Sequence, residues 1–363
     1  GRAECMNEAR TEPYAMYTTM HRQPADVRML LAEGWDGADE AAELLADATR
    51  VFVVGIGTSF HAAQIGAYLL RTAGADARAV DSYEFATYPY SLHGGDVLIV
   101  MAHTGGKQYS VRAVEMAKAA GVPCIGISGR DSKMSGDGLT LVLRTVARET
   151  SAAYTASHLG ALTVLAQIAT VLGERRDVSA VRGWRDALAA LPGQIEDVLR
   201  REGEIEPVAR AIIAANGRTF CIGAGPNAAT ATEASLKARE TAYATIDGMS
   251  LEQFLHGPMV TVNPDDQIVA IAATGPGMAR LGQVCNALRL IGAPIWVVGQ
   301  AIESVPDAPR FPLPDLPEPL SPLLAVVPVQ LLAYFLAVAK GTNPDTFRRD
   351  DPRYLTAFSS LSL

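Results

Sequence analysis

The chain has 363 residues, 49% of them hydrophobic and 19% charged, a balance that excludes disordered and fibrous chains and suits two ordinary globular domains. A formal net charge of -8 leaves no basic footprint for a phosphate backbone, so no nucleic acid is expected as a partner and small molecules are the expected ligands. Cys5, Cys124, Cys221 and Cys285 have neither paired nor metal-ligand spacing; this fits a reducing cytoplasm, and no metal or other cofactor is expected.

Taken in chain order, Gly1 to Thr11 are polar and lack the apolar stretch of a signal peptide. Residues Ala25 to Ala48 read as an opening helix with Pro24 near its start. From Val51 onward, short apolar runs, Gly-containing turns and Ala-rich amphipathic stretches alternate, the rhythm of βαβ units. Runs such as Val97 to Met101 and Ile295 to Val298 carry no polar alternation, as parallel strands covered on both faces require. A helical segment is expected from about Val178 to Ala215, and the Pro-rich stretch Glu303 to Pro322 is expected to be irregular. Leu323 to Ala339 is the most apolar stretch; it contains Pro328 and Gln330, falls short of a bilayer span and reads as a buried helix, so no membrane partner is expected.

The chain repeats itself. VFVVGIG at Val51 aligns with TFCIGAG at Thr219, DVLIVMAHTG at Asp96 with DQIVAIAATG at Asp266, and GVPCIGISG at Gly121 with GAPIWVVGQ at Gly292, all at an offset of about 170 residues. The predicted class is therefore α/β, with two tandem doubly wound parallel-sheet lobes and helices on both faces. Residues 1–48 lead in, 49–177 form the first lobe, 178–216 a helical linker, 217–342 the second lobe, and 343–363 a tail.

Ligands of such sheets bind beyond the carboxyl ends of strands. The first turn there, Gly55 to His61, offers Gly57, Thr58 and Ser59 ahead of a helix N-terminus. The second, His103 to Lys107, offers His103, Thr104, Gly105 and a cation, Lys107. Small residues, hydroxyls and unpaired backbone N–H groups suit a phosphate; the bland alternative is simple turn formation, with Lys107 a solvated lysine. Further on, Glu233, Lys237 and Glu240 share one helical face, which describes a salt-bridged surface helix equally well. His256, held by a Gly-Pro turn, would form with a carboxylate in the same cleft an acid/base pair working near neutral pH.

In the order QPADV at Gln23, GIGTSFHAA at Gly55, EASLKARE at Glu233, LHGP at Leu255 and NPDTFRRDDPRYL at Asn343, the chain resembles the isomerase half of glucosamine-6-phosphate synthase, a member of the sugar-isomerase (SIS) superfamily. The resemblance implies phosphate binding by Ser59 and Thr104, proton transfer between the first two sugar carbons by Glu240, ring opening assisted by His256, Lys237 as the family lysine of that helix, and Ala152 among the substrate contacts. It also implies a homodimer whose sites are completed by a histidine across the interface, and a tail that closes the site.

Three departures shape the functional expectation. No stretch ahead of the first lobe is long enough for the synthase's glutaminase domain; the second turn, Ala102 to Lys107, lacks the family's serines and glutamine; and Ala357 follows Pro352 to Thr356 where the family has an imine-forming lysine. These favour the reverse direction, a glucosamine-6-phosphate deaminase. A deglycase of phosphorylated fructose–amino acid adducts, a simple aldose–ketose isomerase and a non-catalytic sugar-phosphate sensor are the alternatives.

Overall fold

A computed structural model describes residues 13–88 and 90–362; Cys5 and the whole polar leading segment, Gly1 to Thr11, lie outside them. The first lobe runs α1 (Ala15–Glu33), α2 (Trp35–Leu45), β1 (Arg50–Gly55), α3 (Thr58–Thr72), β2 (Ala77–Asp81), α4 (Ser82–Thr87), β3 (Asp96–Met101), α5 (Gln108–Ala120), β4 (Cys124–Ser128), β5 (Leu141–Arg144) and α6 (Ala156–Arg175). Helices α7 (Trp184–Arg200) and α8 (Glu206–Ala214) connect it to the second lobe. There the order is β6 (Thr219–Gly223), α9 (Asn227–Ala242), β7 (Ile246–Ser250), α10 (Leu251–Leu255), β8 (Gln267–Ala272), α11 (Met278–Ile291), β9 (Ile295–Gly299), β10 (Arg310–Pro312) and α12 (Pro322–Lys340), with α13 (Pro352–Ser359) in the tail.

Each lobe holds one five-stranded sheet, ordered β2-β1-β3-β4-β5 and β10-β9-β8-β6-β7. Every strand pair is parallel. The two orders are the same walk with the same reversal, so the sequence repeat is a repeat of topology. Along β1, Val51 and Val53 face a central core shared with α1, α3, α6, α9 and α12, while Phe52 and Val54 face an outer core under α4 and α5. The second sheet divides the same way, with Cys221 inward and Phe220 and Ile222 outward against α11. A period of two on each strand thus builds three hydrophobic layers from two sheets.

Three expectations need correction. The opening helix is two helices broken at Gly34, which caps both, and the position admits only glycine, since a Cβ there would meet Leu30 O and Gln167 Oε1, each at 2.7 Å. Pro24 lies inside α1 rather than near its start. Its missing N–H strips Met20 O of a partner, and Gln23 Nε2 donates to that carbonyl at 3.2 Å instead. Lastly, the Pro-rich stretch contains an edge strand, β10, whose closing Pro312 is tolerated at the sheet margin.

Two helices, Ala156–Arg175 and Glu318–Lys340, are long and apolar enough to cross a membrane, but their apolar windows are 100% and 89% buried inside the fold, which makes them core helices. Cys124, Cys221 and Cys285 are buried and free. Gln23→Met should leave Met20 O without a partner and destabilise the protein by about 1–3 kcal/mol, read from denaturant midpoints; an unchanged midpoint would refute the compensating role of Gln23.

Candidate active site

Strands β1 and β3 are neighbours at the point where the strand order of the first sheet reverses, the position at which doubly wound sheets open a ligand crevice. Gly57, at φ 58°, caps α3, and Lys107 caps α5, so two helix N-termini converge there with their unpaired N–H groups. Gly105 is required by both its φ of 73° and its crowding: a Cβ would lie 2.4 Å from Ser132 Oγ and 2.6 Å from Met134 N. The side chains of Ser59, Thr104 and Lys107 have no partner among the described residues. Below them the crevice narrows to about 20 Å³, between His103, Tyr154, Ser157 and His158, room for about one water. An anion would therefore rest at the mouth, on the loops.

His103 turns inward from its loop. Both ring nitrogens are buried without a partner, the ring stands edge-on to Tyr154 at 5.2 Å, and burial lowers its pKa. Its position is that of a neutral wall of the crevice. Thr58 also turns inward: its hydroxyl donates to Glu233 Oε1 at 2.6 Å.

That contact joins the lobes. Helix α9 of the second lobe packs on α3 of the first, and Glu233, fully buried, meets both Thr58 and His61, whose Nδ1 lies 2.6 Å from Glu233 Oε2. One turn on, Lys237 is buried to the same degree, with Nζ 3.2 Å from Glu233 and 2.6 Å from Glu240. Burial opposes all three charges, yet they divide unequally. Lys237, with help from His158 and His61, overcomes desolvation at Glu233 and holds that carboxyl well below its usual range. The two carboxylates raise the pKa of Lys237 despite its burial. At Glu240 desolvation prevails over Lys237, and its pKa rises. The environments of the two carboxyls thus push their proton affinities apart, down at Glu233 and up at Glu240.

Glu240 reaches the surface of a second cavity, of about 340 Å³, walled by Tyr243 and by Phe347, Arg348, Tyr354 and Phe358 of the tail. The tail is moored at its start. Asp345 accepts from Ala15 N and Met16 N at 2.8 and 2.9 Å, and Asp345 O accepts from Ala152 N at 3.0 Å. The backbone N–H of Ala152 is thereby committed to the tail. The loop beyond it is set by Glu149, a buried carboxylate that accepts from Thr155 N and Ser157 N, both at 2.8 Å, at the start of α6.

His256 does not join this group within the chain. Its side chain is 70% exposed, and Nε2 lies 3.2 Å from Glu252, which also accepts from Arg280. The second lobe repeats the loop frame as well, with Thr274 in the place of Thr104 but Pro226 and Asn227 in place of the hydroxyls of Thr58 and Ser59. Glu318 points its carboxylate at the counterparts of Gly57 and Gly105, so that a Cβ on Gly275 would lie 2.2 Å from Glu318 Oε2 and one on Gly225 3.4 Å from Oε1. Burial pushes the Glu318 carboxyl up.

Sequence reasoning passed over His61, Tyr154, His158 and the aromatic residues of the tail as site components. His61 lay in the first turn and could have been weighed there; His158 sits in an apolar helical run and carries no local signal.

Residues 44–171 match the family model of the SIS domain. Over 91% of its length the chain is 31% identical to the glutamine–fructose-6-phosphate aminotransferase (isomerizing) of Pyrococcus horikoshii, and over 93% it is 30% identical to that of Gloeobacter violaceus. It spans 56% and 58% of those relatives, a little over half of each. Among solved structures it resembles the C-terminal domain of the glucosamine-fructose-6-phosphate aminotransferase of Francisella tularensis, with a TM-score of 0.84 at 19% identity over 92% of this chain and 98% of that one. It also resembles the glucosamine-6-phosphate deaminase of Thermotoga maritima, with a TM-score of 0.66 at 18% identity over 92% and 97%. At these identities the structural likeness speaks for fold. Residues 44–171 thus carry an SIS domain.

Replacing Lys237 by Met leaves two buried carboxylates without their shared cation. The expected cost is about 3–5 kcal/mol of stability at neutral pH, measured by denaturant unfolding, and a loss under about 1 kcal/mol would reduce the triad to a surface-like pair.

Proposed function

We propose that this SIS-domain protein binds a 6-phosphorylated amino sugar and moves a proton between its first two carbons, releasing the nitrogen, and that glucosamine 6-phosphate is its substrate. The observation that carries this reading is the placement of Glu240, which borders a cavity beside the buried ammonium of Lys237 while Glu233 is held by Thr58 and His61 of the other lobe.

The unpartnered hydroxyls of Ser59 and Thr104, the N–H groups at Gly57, and Lys107 hold the phosphate. In the opened sugar, Glu240 takes the proton from the second carbon, leaving an enaminol, and returns one to the first carbon. The second carbon becomes an iminium; water adds to it and its C–N bond breaks. Glucosamine 6-phosphate and water thus give fructose 6-phosphate and ammonia, with no net redox change. The deaminase of Thermotoga maritima, by its name, acts on this sugar within the same fold, and the aminotransferase relatives, by theirs, handle fructose 6-phosphate. Ala357, exposed on α13, offers no amine for an imine with a ketose. The exposed His256 supports a site completed by a second copy of the chain in a homodimer.

Wild-type protein given glucosamine 6-phosphate should release ammonia and fructose 6-phosphate. Because burial raises the pKa of Glu240 and the base must be ionised, activity should climb with pH through a range above that of ordinary carboxylates. Glu240→Gln should keep sugar-phosphate binding and lower turnover by at least roughly a hundredfold. Binding without ammonia release or exchange of the proton on the second carbon would replace the enzyme by a sensor.

Mixed Glu240→Gln and His256→Ala chains should recover activity once subunits exchange, since a heterodimer pairs one intact carboxylate with one intact histidine. No recovery after verified exchange would remove His256 from the neighbour's site.

A further inference from the structure

We infer that an anion seated on the first loop does more than anchor the substrate: it holds the Thr58 hydroxyl on Glu233 and thereby fixes Lys237 and Glu240 for proton transfer. Thr58 is the residue that couples phosphate binding to the chemistry. The inference rests on the amine-releasing reading above and adds to it how that site is switched on.

Thr58 faces both ways. Its backbone N–H and that of Gly57 have no acceptor among the described residues, whereas Ser59 N, Phe60 N and His61 N bond to Ile56 O and Gly57 O. An anion at the start of α3 therefore meets the N–H of Thr58 itself, beside the unpartnered hydroxyl of Ser59. The side chain of the same residue crosses to the other lobe, where its hydroxyl donates to Glu233 Oε1 at 2.6 Å. From that oxygen the contacts run on without a gap: Lys237 Nζ lies 3.2 Å away, and Glu240 Oε2 lies 2.6 Å from the ammonium.

His158 gives the hydroxyl a second place to go. Its Nδ1 lies 3.3 Å from Thr58 Oγ1 and 3.2 Å from Thr58 O, and burial lowers its pKa, so the ring is neutral and carries one N–H. With that proton on Nδ1 the ring donates to Thr58 O, and the hydroxyl serves Glu233. With it on Nε2, Nδ1 accepts from the hydroxyl instead, and Glu233 loses a donor. One hydroxyl proton cannot serve both acceptors, which makes Thr58 a two-position switch between the lobes. His158 is 2% exposed, lines the crevice beneath the loops and leaves Nε2 without a partner, so the group that competes for the hydroxyl stands at the anion's own site.

His61 holds the other oxygen of Glu233, Oε2, at 2.6 Å, so among the described residues Oε1 is left to Thr58 and Lys237. When the hydroxyl turns to His158, Oε1 keeps the ammonium alone and draws it toward Glu233, away from Glu240. An anion on the free N–H groups fixes the backbone of Thr58, and with it the direction of the hydroxyl, in the position that serves Glu233. The affinity of a group that takes no part in the reaction is in this way directed to the reacting end.

The test cuts the substrate in two, into glucosamine, which has no phosphate, and inorganic phosphate. Glucosamine and water give fructose and ammonia, and saturating phosphate should raise kcat/KM for that release in the wild type by roughly 5-fold to 150-fold, the span of ordinary coupling free energies. Thr58→Ser, which keeps the hydroxyl, should keep the acceleration; Thr58→Val should abolish it while calorimetry still shows phosphate bound. Should Thr58→Val not fold, His158→Phe reads the same switch: it removes the competing acceptor and should shrink the acceleration by raising the rate without phosphate. An acceleration that survives in Thr58→Val, or one unchanged in His158→Phe, overturns the inference, as does a wild type that binds no phosphate. Calorimetry with glucosaminitol, the unreactive alcohol, reads the coupling without chemistry, because the effect of one ligand on the binding of another is reciprocal. Phosphate should tighten its binding to the wild type and Thr58→Ser but not to Thr58→Val. That pattern without ammonia release from glucosamine 6-phosphate upholds the coupling and sinks the amine-releasing reading. Neither acceleration nor tightening overturns the coupling, and ammonia release from glucosamine 6-phosphate is then judged separately.

Discussion

Lys237 places an ammonium where no water reaches it, and an isolated charge in that position would be prohibitively expensive. It is tolerated because two carboxylates flank it on its own helix and because one of them, Glu233, is itself fixed by Thr58 and His61 from the other lobe. The packing of α9 on α3 is therefore an electrostatic necessity as well as a hydrophobic convenience. With Glu233 committed to that balance, Lys237 cannot fully neutralise the burial of Glu240, and the surplus appears as a raised proton affinity on the one carboxyl that borders a cavity.

The same helical turn serves two faces. Gly57 and Ser59 present an N–H and a hydroxyl outward at the sheet's reversal point, while Thr58 between them points inward to Glu233. The mouth of the crevice and the triad of α9 are thus linked through three consecutive residues and one buried carboxylate. The tail completes the enclosure from the far side, moored by Asp345 to both α1 and the loop of Ala152.

Much of this organisation is legible in the sequence. Strand registers and Gly turns keep a constant spacing between the halves because parallel strands buried on both faces tolerate little insertion, and the repeated topology follows. The helical face of Glu233, Lys237 and Glu240 was equally visible from spacing, but its depth was not: the same pattern describes a solvated salt-bridged helix, and only the partner lobe decides. The break at Gly34 escaped because both helical halves are amphipathic, and the crowding by Gln167 comes from 133 positions away in sequence, an order of separation that local pattern cannot report. Edge strand β10 hid among prolines that an interior strand would exclude. Arg348 stood inside a quoted motif, yet it lines the cavity on a left-handed backbone, at φ 58°, that no neighbouring glycine announces.

The carboxylate of Glu318 marks where the two halves of the duplication have ceased to be interchangeable. Its oxygens crowd the very glycines that correspond to those of the first crevice, so the second lobe carries its own negative group in the place where the first is open to an incoming one. The duplicated frame is thus filled differently in its two halves: the first crevice stands open beneath the hydroxyls of Ser59 and Thr104, and the second holds a carboxylate. Restoring symmetry would require more than returning hydroxyls at Pro226 and Asn227, since an acidic side chain is seated against Gly225 and Gly275.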